Sequence, residues 1–308
     1  MFDVIDPGLF TTIQDLGRVG FQSYGVTPGG AMDPFALRAA NALVGNAPGE
    51  AALEITLAGP RLSALEKCVI AVTGARFALT VDERPMPANT ALFIRASATV
   101  QFGARQAGAR AYLALAGGID VPLVLHSRAT DVRGQFGGLA GRALQGGDRL
   151  IPRYATLRVE RAGKMLPARV EAYVEQDTPI RIIRGPHLAY FADATIAALE
   201  GQTWQVSELA DRMGLRLAGA RLDRAAGEIL SCGVTRGAIQ VPAGGQPIIL
   251  MADYQTTGGY PIIATVIRAD LPRLAQKTAG DTIAFIAVDV VHARQAYQEL
   301  EQLIRSIS

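Results

Sequence analysis

The sequence predicts a mostly β protein built from two related barrel-like halves, and three observations predict it. Short β-rich runs broken by Gly and Pro recur along the whole chain, well-signalled helices are few, and one layout of elements appears twice at an offset of 133 to 136 residues.

The strand-like runs are Ala51–Leu57, Val69–Val72, Phe77–Val81, Ala91–Ile94, Thr99–Phe102, Ala111–Ala116, Ile180–Ile183, Thr203–Val206, Arg216–Ala218, Ala238–Val241, Ile248–Ala252 and Thr282–Val288. Two helices carry clear signals. Asp33 caps Pro34–Val44, with Pro34 in the first turn, Gly45 as the stop and Phe35, Ala39 and Leu43 on one face. A second amphipathic helix is expected over Val291–Ile307, its apolar residues three and four apart.

The repeated layout is an apolar strand, Tyr112–Ala116 or Ile248–Ala252, followed by a Gly turn, a short helical stretch and a Gly-Asp pair that opens another strand. The pairs are Gly147-Asp148 and Gly280-Asp281, an arrangement that suggests duplication. With 308 residues the chain fits two domains. The polar segment Arg153–Asp177 is the expected junction, giving domains at 1–158 and 159–308, the second carrying the terminal helix.

Charge and composition exclude several function classes. Thirty Lys and Arg against 28 Asp and Glu leave a net +2, so no electrostatic footprint for nucleic acid is expected. There is no leader-like start and no apolar run near the ~20 residues that cross a bilayer, so the expectation is a cytoplasmic protein without a membrane partner. Cys68 and Cys232 lie far apart within apolar stretches and read as buried, unpaired thiols. Three scattered histidines, His126, His187 and His292, and the lack of Cys-x-x-Cys or His-Glu-x-x-His predict no metal. Phosphate-loop, nucleophile-elbow and dinucleotide patterns are also missing.

Polar chemistry gathers in three Gly-rich stretches. The first runs from Pro7 to Asp33 and contains Gln14, Asp15, Arg18, Gly29 and Gly30. Glycines ahead of a helix can turn backbone N–H groups toward an anion, and Arg18 can add a planar fork. The bland alternative is turns, a cap and an Asp15–Arg18 pair. The second, His126–Gly138, carries Arg128 and Thr130. His126 and Ser127 are adjacent and face opposite ways in an extended chain, so they are no catalytic pair. The third spans Asp211–Pro261 and includes Arg212, Gln240 and the run Asp253-Tyr254-Gln255-Thr256-Thr257-Gly258-Gly259-Tyr260-Pro261. It reads either as a polar binding loop or as a hairpin turn whose threonines satisfy the backbone.

The runs PGLFTTIQDLGRVGFQSYGVTPGGAMDPFALRAANALVGN, SRATDVRGQFGG, DRMGLRL and DYQTTGGYP, in that order, resemble the biotin-dependent carboxyltransferase-like family that includes KipA, allophanate hydrolase subunit 2 and the C-type component of 5-oxoprolinase. The resemblance covers Pro7 to about Phe285 and implies tandem cyclophilin-like β-barrels with a few short helices. It also implies a C-type chain working beside a separate, KipI-like B-type chain. As the chain starts at its own motif and ends with its own helix, the activity expected is that of the C-type component of a bacterial ATP-dependent 5-oxoprolinase. That enzyme opens 5-oxo-L-proline to L-glutamate together with a LamB/YcsF-type third component, and ATP would bind somewhere in the complex.

The alternatives are a carboxyltransferase component of a biotin-dependent urea carboxylase, which alone would use carboxybiotin, and a non-catalytic KipA-type regulator. On the matching positions the resemblance implies that Arg18, Arg128 and Arg212 neutralise a small-molecule substrate's carboxylate or phosphate. Gly29 and Gly30 would present N–H groups, and Asp15 or Asp253 would position water or a proton. Gln14, Gln255, Thr256 and Thr257 would orient the amide, with Thr130, Gln240 and Tyr260 completing the binding set. One departure is Tyr254, where family members often carry Arg or His.

Overall fold

The computed structural model describes residues 1–174, 176–225 and 229–307. The protein is mostly β, with a half-barrel and a nearly closed barrel as its principal sheets, few helices and one at the C-terminal end. The chain forms two compact units, the first Met1–Val19, Gly29–Tyr173 and Leu303–Ser308, the second Gly20–Pro28 and Val174–Gln302.

The first unit holds β1 (Phe2–Asp6), β2 (Phe10–Gln14), β3 (Ala52–Thr56), β4 (Arg61–Ala64), β5 (Cys68–Val81), β6 (Arg84–Pro85), β7 (Ala91–Ile94), β8 (Thr99–Leu115) and β9 (Arg149–Leu150). They join in one nine-stranded sheet ordered β2-β3-β8-β4-β1-β9, with β5 paired to β6, β7 and β8. The 17-residue β8 bridges β3, β4 and β5, which is what lets the sheet curl. The expected runs Val69–Val72 and Phe77–Val81 are one strand, because β5 passes through irregularities at Gly74, Arg76 and Phe77 instead of turning.

Alternation along the strands explains which face goes where. Ile13, Leu53, Ile55, Ile70, Val72, Leu113 and Leu115 point into one apolar core. The opposite face of the same strands is covered by α1 (Pro34–Val44), which packs on β5 and β8. Asp33 caps this helix through a 2.8 Å bond from Ala36 N–H, and Gly45 ends it with φ 76°, both as the sequence predicts. The covered face carries a polar row set by cross-strand register: Thr12 opposite Glu54, Glu54 opposite Tyr112, and Tyr112 opposite Thr73. All four are buried.

The second unit contains β10 (Ile180–Arg184), β11 (Trp204–Val206), β12 (Gly214–Ala218), β13 (Cys232–Gly233), β14 (Ala238–Gln240), β15 (Ile248–Leu250), β16 (Thr257–Gly258), β17 (Ile262–Val266), β18 (Thr282–Ile283) and β19 (Phe285–Ala287). Eight of them form a sheet ordered β18-β11-β12-β15-β14-β17-β10-β19, and β13 pairs with β16 in a separate ribbon. Two helices not expected from the sequence are α2 (Ala168–Val174) and α3 (Asp193–Gly201), whereas α4 (Leu271–Ala275) is the short helical stretch expected ahead of Gly280-Asp281. The terminal helix is α5 (Val290–Arg305).

The Gly-Asp pairs make the same turn in both units. Gly147 and Gly280 have φ 89° and 88°. Asp148 accepts from Gln145 N–H at 2.7 Å, and Asp281 from Thr278 N–H at 2.6 Å. Each turn exchanges two backbone bonds with a strand valine, Val4 or Val206. The duplicated layout holds at this point but not before it: in the first unit the chain from Gly118 to Asp148 runs through turns and isolated bridges, whereas the second has α4 there.

The first of these turns is expected to be acid-sensitive. Arg142 binds both oxygens of Asp148 at 2.7 and 2.8 Å and, chiefly through those bonds, holds its carboxyl below the usual range. A depressed folded pKa adds stability in full above the unfolded value of about 3.9 and loses it as pH falls through the folded one. Melting curves from pH 7 to pH 3 are expected to show an acid-dependent loss that Asp148→Asn reduces; equal acid sensitivity in the variant would refute this.

Candidate functional site

The predicted site residues gather into two groups, one in each unit. In the first, Gln14 ends β2, Asp15 and Arg18 follow it, and all three meet the 127–138 loop. Asp15 is an organising acceptor: one carboxylate oxygen takes bonds from Gly17 N–H and Ser127 Oγ, both at 2.7 Å, and the other takes Arg128 N–H at 2.6 Å. Its carbonyl accepts Ala31 N–H at 2.9 Å. Ser127, unassigned from sequence, is fully buried here.

Arg18 is 0% exposed, donates to the Ala129 carbonyl and lies 4.6 Å over the Phe136 ring. Gln14, also 0% exposed, donates to Thr12 Oγ1 at 3.0 Å and to the Thr130 carbonyl at 3.2 Å; its own oxygen has no hydrogen-bond partner. Thr130 in turn donates to the Ile13 carbonyl. Arg128 is half-buried, and its Nε is buried without a hydrogen bond.

Close packing dictates the glycines of this group. A Cβ on Gly30 (φ 79°) would lie 2.6 Å from the Gly17 nitrogen, and one on Gly138 (φ 51°) would overlap Thr130 Oγ1. Gly29, with φ 60°, is likewise buried and left-handed. The backbone N–H groups that follow are taken by the protein itself: Ala31 by Asp15, Met32 by Glu54 at 2.8 Å and Asp33 by the Tyr112 hydroxyl at 2.8 Å. Tyr112 donates to the same Glu54 oxygen at 2.6 Å, and burial followed by the Glu54 charge pushes its phenol well above the ordinary range. Glu54 and Tyr112 thus fix the approach to α1. They escape sequence reading because register alone joins residues so far apart.

In the second unit Arg212 grips Asp253 with two bonds of 2.8 and 2.9 Å, and Asp253 N–H donates to the Arg212 carbonyl at 2.8 Å. Gln240, on β14, is buried and accepts from Gln255 at 3.3 Å. Thr256 accepts Val234 N–H through its carbonyl, and Thr257–Gly258 is β16, so the run forms one side of a ribbon. Tyr260 is 41% exposed. Tyr254 points inward: it is 6% exposed, and burial raises its hydroxyl, against which Arg236 N–H and Gln22 donate. Its partner Arg236 places a cation beside that phenol, a link that spacing did not reveal.

Cys68 is buried as expected, but Cys232 is only half-buried, because its two-residue strand lies in the ribbon and outside the sheet. Among the described residues no group of three or more His, Cys, Asp or Glu side chains is placed to hold a metal. No described helix is long and apolar enough to cross a membrane.

Residues 24–287 match the family described as Carboxyltransferase domain, subdomain A and B. The chain is 40% identical to the C-type component of the Escherichia coli 5-oxoprolinase over 100% of its own length and 98% of that protein. It is 39% identical to the Haemophilus influenzae protein of the same name, covering 98% and 96%. Urea amidolyase of Saccharomyces cerevisiae is 32% identical over 98% of this chain, which spans 17% of that protein. Among solved structures, the K. lactis urea amidolyase aligns with a TM-score of 0.91 and 31% identity, covering 100% of this chain and 20% of that one. TTHA0988 aligns with a TM-score of 0.83 and 34% identity, covering 92% and 55%.

Proposed function

Because the chain belongs to the family of the carboxyltransferase domain, subdomains A and B, we propose that it is the C-type component of a bacterial 5-oxoprolinase. One observation carries this reading: at 40% identity the chain matches a free-standing C-type 5-oxoprolinase component end to end, whereas it spans about a fifth of a urea amidolyase. Partners of KipI-like and LamB/YcsF type would complete the enzyme.

In the reaction proposed, the lactam oxygen of 5-oxo-L-proline attacks the γ-phosphorus of ATP and ADP leaves. Water then adds to the activated ring carbon, the ring C–N bond breaks and the nitrogen takes a proton, leaving an acyl phosphate that a second water hydrolyses to L-glutamate and phosphate. This chain's part is to bind and orient. Arg128, with a buried Nε lacking a hydrogen bond, is the cation we assign to an anionic group of the reactants, carboxylate or phosphate. Asp15 holds the backbone of Arg128, and Arg18 anchors the adjoining Ala129 carbonyl. In the second unit Arg212 and Asp253 fix the loop that carries Gln255.

A carboxyl-transfer role is the second reading, favoured by the full-length structural match to the urea amidolyase. Purified assemblies, each lacking a different polypeptide, decide between them. The complete set is expected to form glutamate and ADP from 5-oxoproline and ATP, and omission of this chain is expected to abolish both. Turnover that persists without it refutes the proposal. Arg128→Ala and Gln255→Ala are each expected to lower turnover about 100-fold while leaving assembly intact.

A further inference from the structure

We infer that Cys232, Gly258, Gln240 and Gln255 line a small subsite in the second unit that receives an acceptor oxygen of the substrate. That the oxygen belongs to the lactam carbonyl or the carboxylate of 5-oxoproline rests on the function proposed above.

The ribbon of β13 and β16 sets Cys232 directly opposite Gly258. Facing residues of an antiparallel pair project from the same side, so the Cys232 thiol lies on the side where Gly258 has no side chain. A Cβ on Gly258 would approach Gln240 Nε2 to 2.7 Å, and both Gln255 Nε2 and Val234 Cγ1 to 3.4 Å. The amide end of Gln240 therefore reaches over the same face. Gln240 is 1% exposed; its oxygen is taken by Gln255, and its Nε2 has no hydrogen-bond partner.

A buried donor left unpaired costs about 1–3 kcal/mol, which a ligand oxygen would recover. Cys232, Gln255 and Gly258 are all half-buried, so the face is open to a small molecule. The pair of amides acts in series: Gln255 donates to the Gln240 oxygen and polarises the Nε2 donor that meets the ligand. Gly258 keeps the position clear, which gives its missing side chain a binding role in addition to a conformational one.

The thiol supplies the test. Cys68, the other cysteine, is buried and its pKa is pushed up to about 11, so it resists alkylation at neutral pH. The assembled complex is treated with iodoacetamide, and the Cys232 peptide is quantified by mass spectrometry, alone and with 5-oxo-L-proline, 2-pyrrolidinone or L-proline. Saturating 5-oxo-L-proline is expected to slow Cys232 labelling about tenfold. Protection by 2-pyrrolidinone assigns the lactam oxygen to the subsite, and protection by L-proline assigns the carboxylate.

Gln240→Leu is expected to raise the protecting concentration about tenfold, the value of one good hydrogen bond, and Gly258→Ala to abolish protection. Circular dichroism and melting of both variants show whether they fold. Cys232 that is never labelled, or is labelled at one rate under all conditions while the complex turns over 5-oxoproline, overturns the subsite and leaves the proposed function standing. Protection without turnover overturns the function and keeps the subsite.

Discussion

Replacing Asp270 with alanine is expected to cost the second unit about 3–5 kcal/mol, because it strands two arginines that share one buried carboxylate. Asp270 has no exposed surface. Arg181 binds it at 2.6 Å through Nη2 and contributes its own backbone N–H at 2.7 Å. Arg273, 7% exposed, lies 3.5 Å away and also donates to the carbonyls of Gln176 and Thr178. The three side chains tie the entry to β10 onto the segment that precedes α4. Asp270→Asn keeps an acceptor for the backbone N–H and is expected to lose about half as much. Urea unfolding followed by the fluorescence of Trp204, the single tryptophan, buried in this unit, reads the effect. A shift below about 1 kcal/mol in the alanine variant would show that the network is dispensable.

Asp15→Ala is expected to lower turnover of the assembled enzyme at least 100-fold, since a displacement of about 1 Å in a binding group has that effect. The substitution leaves Gly17 N–H, Ser127 Oγ and Arg128 N–H without their acceptor. The loop that presents Arg128 then loses its register, and the loss is expected in kcat as well as KM. Asp15→Asn retains one acceptor oxygen and is expected to recover part of the rate. Steady-state kinetics of both variants in the complete assembly provide the check. Activity of Asp15→Ala within threefold of the parent would remove Asp15 from the working machinery.

Local signals were legible where one residue decides the geometry. The Asp33 cap and the Gly45 stop were readable because capping needs few neighbours. Strands whose polar residues face a covered surface were not. Phe10–Gln14 reads as part of a polar, Gly-rich stretch, yet it is a buried strand, paired along β3 and met by the 127–138 loop at Ile13 and Gln14. Helix α3 carries no side-chain cap at Ala192, so nothing marks its start. In the candidate site, motif reading identified the residues that meet at Asp15 and at Gln240. It missed Ser127, Glu54, Tyr112 and Arg236, whose partners are supplied by register and loop closure.

Neither compact unit is a continuous stretch of chain, and this constrains the order in which the protein is made. The first unit includes Leu303–Ser308, at the far end of α5, with Ile304 and Ile307 both buried. A ribosome releases residues in order at about 5–20 per second, so the first unit must wait roughly 7–27 s after Tyr173 emerges before its last apolar residues exist. For that interval the nascent chain carries an unfinished core. Premature termination after Gln302 would leave the first unit without those residues, although every strand had already been translated.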